Sequence, residues 1–180
     1  MGRPTAGIKW APKVIGDQTY DLSHLHPDSL ELVIPAKGKN PERRFSIAIA
    51  YGLHCFTRKP NKDEQVPDDY WYQDSREKRV FCLMRWELSY QLPDIIRTLG
   101  RRKCLHTKGE EFVTIEMVYH GREIEYAVFF TVTKGDKSGA DINLFINSGH
   151  ERYNKLQYTK PIGFHVIVMN RYANKPIKKP

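Results

Sequence analysis

Histidine and arginine on one face of an extended segment are the strongest chemical signal in this sequence. His54 and Arg58 are four residues apart, so both point from the polar face of a strand over 43–58. A histidine that titrates near neutrality can take the 2′-hydroxyl proton of RNA, and a nearby guanidinium stabilises the charge that develops on phosphate. The pair therefore predicts metal-independent RNA cleavage, with an ordinary surface histidine and ion-paired arginine as the alternative.

A second compact set follows the strand predicted over 141–147. His150, Glu151 and Arg152 offer an acid, a base and a phosphate-binding cation in consecutive positions. If the fold brings both sets to one pocket, they supply two proton-transfer groups and two cations. The chain has 7 histidines, which makes such sets frequent by chance, so hydrogen-bonded histidines and surface arginines remain the alternative here too.

The motifs of several enzyme classes are missing from the sequence. It contains no phosphate-binding GxxxxGK[ST] loop, no GxGxxG, no HExxH and no GxSxG nucleophile elbow. The three cysteines, Cys55, Cys82 and Cys104, form no CxxC pair at the tight spacing of a zinc site. We therefore predict no metal and no cofactor.

The net charge of +8 is concentrated in two segments of the chain. Residues 31–60 carry +4 and residues 151–180 carry +6, whereas the rest is slightly acidic. Concentrated positive charge favours polyanions, so we predict nucleic acid as the partner, RNA in preference to DNA, with an acidic protein as the alternative. The expected nucleic-acid-binding residues are Arg43, Arg44, Phe56, Lys59, Lys155, Arg171, Lys175, Lys178 and Lys179.

The elements that must position these residues follow from hydrophobic periodicity. Alternating apolar residues predict strands over 30–34, 43–58, 80–83, 113–119, 124–132, 141–147 and 162–170. Leu88 to Leu99 have helical spacing, and Pro93 either kinks that helix or begins its main part. The sum predicts an α+β fold, a curved and mainly antiparallel sheet with one principal helix packed on it.

The predicted organisation is an irregular N-terminal arm over 1–17, a single domain over 18–172 and a basic extended tail over 173–180. His165 lies in a nearly continuous apolar run, which predicts a buried histidine. The absence of a membrane-length apolar run and of a signal peptide predicts no membrane contact and a cytoplasmic protein. Oligomeric state is left open.

Segments Tyr51–Arg58, Glu87–Arg97 and Lys160–Phe164, with the ending over 175–180, resemble a family of small bacterial proteins of no assigned activity. The resemblance implies no substrate and no catalytic residues. The residues themselves predict a nucleic-acid-directed protein, with metal-independent endoribonuclease activity of the toxin type as its reaction. Two alternatives remain, namely a non-catalytic nucleic-acid-binding module and a protein-interaction component of a bacterial defence or regulatory operon.

Overall fold

The structure is a computed structural model that describes residues 7–107, 109, 111–136, 139–153 and 160–178. These residues form twelve strands and three α-helices. The strands are β1 (Lys13–Ile15), β2 (Gln18–Tyr20), β3 (Asp28–Ile34), β4 (Arg43–His54), β5 (Thr57–Arg58), β6 (Trp71–Gln73), β7 (Lys78–Phe81), β8 (Lys103–His106), β9 (Phe112–Tyr119), β10 (Glu123–Lys134), β11 (Ile142–Arg152) and β12 (Ile162–Gly163). The helices are α1 (Leu83–Ser89), α2 (Leu92–Arg97) and α3 (Phe164–Tyr172).

A curved seven-stranded sheet organises these elements in the order β12-β8-β9-β10-β11-β4-β3. Its neighbours are antiparallel except β11 and β4, which run parallel. A smaller sheet, β5-β7-β6, follows the end of β4, and β1 and β2 form a separate hairpin. The predicted α+β class with a mainly antiparallel sheet is confirmed.

The core lies between one face of the large sheet and the helices. Strict alternation along β4 buries one row of side chains and leaves the other row on the opposite face. The buried row is Phe45, Ile47, Ile49, Tyr51 and Leu53. Leu88, Leu92, Ile96, Phe164 and Ile167 from the helices complete the cluster.

Pro93 divides the principal helix in two. α1 ends at Ser89 and α2 begins at Leu92, which places Pro93 in the first turn of α2. Backbone N–H groups in the first turn of a helix have no acceptor within that helix. Proline lacks this N–H, so its place at the start of α2 costs no hydrogen bond. Of the two predicted outcomes, the structure adopts the one in which Pro93 starts a new helical segment.

The strand predicted over 162–170 was wrong, because β12 covers only Ile162–Gly163 and α3 follows. Phe164, Ile167 and Val168 are buried at the spacing of one helical face. That tertiary packing outweighs the β-propensity of the Val-Ile-Val run. His165 consequently lies exposed on the outer face of α3, so the prediction of a buried histidine was also wrong.

Residues near both termini contact the folded domain. In the N-terminal arm Trp10 is buried and donates from Nε1 to the carbonyl of Tyr51 at 3.1 Å, and β1 already belongs to a hairpin. In the tail, Lys175 donates its N–H to the carbonyl of Asn170, and Ile177 packs against the core. None of the helices in the described residues is long and apolar enough to cross a membrane.

Candidate functional site

Polar side chains converge where the parallel strands β4 and β11 end. Parallel strands place their carboxyl ends at the same edge of a sheet, and here His54 pairs with Ser148. The register shifts by one residue at Asn147, opposite a similar shift in β10 between Phe129 and Phe130. Such a β-bulge redirects the side chains that follow it. We call this region the β4–β11 crevice; its residues are His54, Glu77, Arg79, Arg85, His150 and Arg152.

His54 and Glu77 form a hydrogen-bonded pair in the crevice. Nε2 of His54 lies 2.6 Å from Oε1 of Glu77, and both side chains are about 40% exposed. The other carboxylate oxygen of Glu77 lies 3.5 Å from Arg79. Burial raises the pKa of Glu77, but the hydrogen bond from His54 and the charges of His54 and Arg79 outweigh it and hold the pKa below its ordinary value. The carboxylate therefore orients an accessible imidazole.

Two arginines are held at Thr57, just beyond the turn that ends β4. Arg79 donates from Nε to the Thr57 hydroxyl at 3.0 Å, and Arg85 donates to the Thr57 carbonyl at 2.6 Å. The Arg79 side chain is only 6% exposed, and burial lowers its pKa, opposed by the charge of Glu77. A guanidinium remains protonated under such a shift. The crevice thus holds two fixed cations, which suits a bound oxyanion.

His150 shares the sheet face of His54. Its partner in β10 is Ala127, and its ring stacks on Phe129 with centroids 5.5 Å apart and planes 12° apart. Burial lowers the pKa of His150 to about 4, and the charges of Arg85, Arg152 and His54 contribute. The imidazole is therefore neutral at neutral pH in the free protein, within electrostatic range of the His54–Glu77 pair.

The lowered histidine pKa values predict acid sensitivity. His24, which lies elsewhere against Ser89 and Tyr90, has a pKa lowered to about 4 by burial in the same way as His150. An unfolded histidine titrates near pH 6.5, so between about pH 6.5 and pH 4 only the unfolded chain binds these two protons. We expect the free energy of unfolding to fall as the pH drops through that window.

Urea unfolding at pH 7 and pH 5 measures this effect. Each fully titrating histidine contributes a slope of about 1.4 kcal/mol per pH unit. His24→Gln removes one of the two titrating groups, so it should reduce the slope of the free energy of unfolding against pH by roughly the contribution of one proton. Equal stability at both pH values would contradict the burial of neutral imidazoles.

Several buried polar atoms near the crevice have no hydrogen-bond partner among the described residues. They are Tyr126 Oη, His150 Nδ1, Glu151 Oε2 and Arg152 Nε. Unpaired buried polar atoms are uncommon in folded proteins and call for an explanation at each position. His150 and Arg152 lie on the sheet face of His54, so their unpaired atoms favour a site there that binds a polar group.

A recess of about 410 Å³ opens beside His54. His54 and Glu77 form one wall, and the ring of Phe145 lies close against Gly52 on another, 3.1 Å from the position a Cβ would take. Cavities of roughly 300–1,000 Å³ hold small ligands. The recess is therefore large enough for a small ligand next to the imidazole.

The structure brings together only part of the catalytic set predicted from sequence. His54, His150 and Arg152 share one face of the sheet, but Glu151 pairs with Tyr126 and lies on the core face. β11 extends to Arg152, so strand alternation separates Glu151 from both of its neighbours. The prediction that His150, Glu151 and Arg152 form one compact set was wrong for Glu151.

Arg58 and His54 belong to different strands and do not share one strand face. β4 ends at His54, the chain turns at Cys55 and Phe56, and Arg58 belongs to β5. Its guanidinium binds Glu64 through two hydrogen bonds of 2.7 and 2.6 Å. The prediction of a shared face assumed a continuous strand over 43–58, and the turn overturns that assumption.

The predicted nucleic-acid-binding residues are dispersed. Phe56 was misplaced on the polar face, because it is fully buried against Trp10, Tyr72 and Phe81. β4 has 12 residues, so Arg43 lies roughly 36 Å from His54. Arg44 forms ion pairs with Glu31 and Glu42. Lys59 and Lys178 are exposed. Arg171 and Lys175 line a different cavity. Lys155 and Lys179 lie outside the described residues.

Sequence reasoning missed Glu77, Arg79 and Arg85. Glu77 and Arg79 fall in a polar stretch that predicts only a loop, and Arg85 lies in the first turn of a helix whose apolar stripe starts later. The one usable signal was Arg79 in alternation with the apolar Phe81, which suggests an arginine on a buried strand face.

Two of the three cysteines, Cys55 and Cys104, are buried. Burial raises the pKa values of Cys55 and Cys104 to about 12, which leaves both as unreactive thiols. Within the part of the chain that the structure describes, no three His, Cys, Asp or Glu side chains gather as metal ligands.

Comparison with known proteins identifies a family to which the chain is similar. The model of the YjaZ family matches residues 12–172, which is most of the chain. No curated protein and no solved structure matches it.

Proposed function

The chain belongs to the YjaZ family, and because that membership by itself implies no reaction, we propose a function from the β4–β11 crevice. The function is metal-independent endonucleolytic cleavage of RNA. One observation carries the proposal, namely that the His54–Glu77 pair lies beside fixed guanidinium groups and a second histidine. A proton acceptor, a charge-stabilising cluster and a proton donor are the groups that RNA transesterification needs.

The reaction begins with proton transfer from the ribose 2′-hydroxyl to His54. Glu77 holds the imidazole in place and stabilises the imidazolium that forms. The 2′-oxygen then attacks phosphorus, and the bond from phosphorus to the 5′-oxygen breaks. The products are a 2′,3′-cyclic phosphate and a free 5′-hydroxyl.

The guanidinium groups of Arg79 and Arg85 stabilise the negative charge of the pentacoordinate phosphorane. Both are held at Thr57 before substrate arrives, so they need no rearrangement during the reaction. His150 is neutral in the free protein, but a phosphate anion beside it raises its pKa. In the complex it therefore takes up a proton from solvent and donates that proton to the leaving 5′-oxygen.

The test is incubation of the purified protein with single-stranded RNA in EDTA. We expect fragments that end in 2′,3′-cyclic phosphate, and no cleavage of DNA, because DNA lacks the attacking 2′-hydroxyl. Cleavage that requires a divalent cation, or that leaves 5′-phosphate ends, would contradict the mechanism.

A non-catalytic nucleic-acid-binding module is the second candidate. A cavity of about 560 Å³, whose lining shares Glu111 with the recess beside His54, includes the cations Lys134, Arg171 and Lys175, and the Lys134 ammonium lies 5.5 Å from the ring of Tyr172. Cations beside an aromatic ring suit a single-stranded backbone and its bases. Binding without cleavage, with an affinity that falls steeply with salt, would favour this candidate.

Either activity fits a protein of the bacterial cytoplasm. The cysteines are free, as is usual for proteins of a reducing compartment. An RNase of this kind in a growing cell would act as a toxin.

A further inference from the structure

A groove at the end of β4 opposite His54 is independent of the RNA chemistry. It has a volume of about 820 Å³ and lies between β3 on one side and α2, α3 and the 99–101 turn on the other. We call it the β3 groove. Its apolar lining residues include Leu30, Leu32, Ile34, Ile96, Phe164 and Met169.

The free edge of β3 borders this groove. β3 is the last strand of the seven-stranded sheet, and within the described residues only β4 pairs with it. Half of its backbone N–H and C=O groups therefore face outward, which is the arrangement that accepts another strand. Leu30, Leu32 and Ile34 are half-buried at a spacing of two residues. The side chains on one face of an extended peptide have the same spacing, so they can pack between these three residues.

The charges around the β3 groove are mainly positive. Lys37, Arg43 and Arg101 line it, are exposed and form no ion pair among the described residues. Arg97 is paired with Asp28 at 2.8 Å, and the acidic lining residue Glu31 is bound to Arg44. An occupant with carboxylates on either side of apolar residues would complement both the lining and the rim.

We propose that the β3 groove binds an extended acidic segment of a partner protein, which adds to β3 as an antiparallel or parallel strand. Main-chain hydrogen bonds to the edge supply affinity, and alternate apolar side chains enter the groove. Carboxylates of the segment pair with Arg43, Arg101 and Lys37. RNA fits less well, because it offers neither a strand edge nor apolar side chains at a two-residue spacing.

The experiment is a titration of the full chain with a fluorescent peptide in which alternating valine and serine residues are flanked at both ends by glutamate. A second peptide carries lysine in place of glutamate, and two others carry N-methyl groups on one or the other set of alternate amides. We expect the acidic peptide to bind, the lysine peptide not to bind, and one of the N-methylated peptides to lose binding, because only one set of N–H groups faces β3.

Variants of the chain locate the binding site. Arg101→Glu should weaken binding by about tenfold, since it reverses a charge at the rim of the groove. Gly100→Leu should also weaken it, because a Cβ at this exposed position lies 3.5 Å from Leu32 and directs the side chain into the groove without a clash. Lys62→Glu is the matched control, an exposed cation remote from the groove lining, and should leave affinity unchanged.

Three results would overturn the proposal. They are equal affinity for the acidic and lysine peptides, unchanged binding by both the Arg101 and Gly100 variants, or loss of RNA binding in place of peptide binding in Arg101→Glu. The RNA cleavage assay in EDTA is unaffected by any of them, so failure here and failure of the proposed nuclease are separate outcomes. Circular dichroism of each variant shows that loss of binding is not loss of folding.

Discussion

His54→Gln is expected to lower the rate of RNA cleavage in EDTA by about 10²- to 10⁴-fold, the usual contribution of a positioned proton-transfer group. Glutamine can retain a hydrogen bond to Glu77, which lies 2.6 Å from Nε2 of the histidine. It cannot accept a proton from the 2′-hydroxyl. The substitution therefore removes the chemistry and leaves the local geometry largely in place.

The measurement is a single-turnover rate with saturating protein, so that binding and chemistry are separated. Glu77→Gln should reduce the rate less, because it weakens the orientation of His54 but keeps the imidazole. His165→Gln is the matched control, since His165 is exposed on α3 and remote from the crevice. Full activity in His54→Gln would remove the crevice as the catalytic site, whatever the identity of the cleaving group.

Local patterns in the sequence were sufficient for most of the sheet. The hairpin of β9 and β10 follows from alternation on both sides of Gly121, whose φ of +71° suits a glycine at the turn. The segment over 164–172 could not be assigned in this way. Its apolar run fits a strand by composition, and only the contact of Phe164, Ile167 and Val168 with the core selects the helix.

The sequence identified only those residues of the candidate site that lie at the end of a predicted strand. His54 and His150 were identified because each is an ionisable residue at the end of an alternating segment. Their proximity depends on the parallel pairing of β4 with β11, which is a long-range contact that periodicity does not encode. Arg79 and Arg85 join them through Thr57, again by a contact between elements separated in sequence.

The sequence alone does not show whether the two basic segments, 31–60 and 151–180, share one face of the fold. The two basic segments do meet, because Phe45 at the start of β4 contacts Tyr172 at the end of α3, with ring centroids 5.2 Å apart. That contact lies at the opposite end of β4 from His54. The bulk charge therefore supports binding of anions at the far end of the sheet, while the crevice has its own local cations in Arg79 and Arg85.

Gly149→Ala is expected to destabilise the fold by about 1–3 kcal/mol, the usual penalty for an added methyl group in a filled core. A Cβ at residue 149 would lie 2.4 Å from the Tyr126 hydroxyl and 3.2 Å from Leu92. Tyr126 and Leu92 are both fully buried, so neither side chain can move into solvent. Urea unfolding, monitored by far-ultraviolet circular dichroism, measures the change in the free energy of unfolding.

Tyr126→Phe provides the partner variant for this test. The Tyr126 hydroxyl is buried without a hydrogen-bond partner among the described residues, so its removal should be neutral or stabilising. In the double variant the added methyl meets Cζ at 3.0 Å instead of the oxygen at 2.4 Å, which relieves the worst part of the overlap. We therefore expect Gly149→Ala to cost less in the Tyr126→Phe background than in the native chain, and additive effects would contradict the contact. Because Gly149 directly precedes His150, the rescued double variant should also recover any cleavage rate that Gly149→Ala loses through displacement of the imidazole.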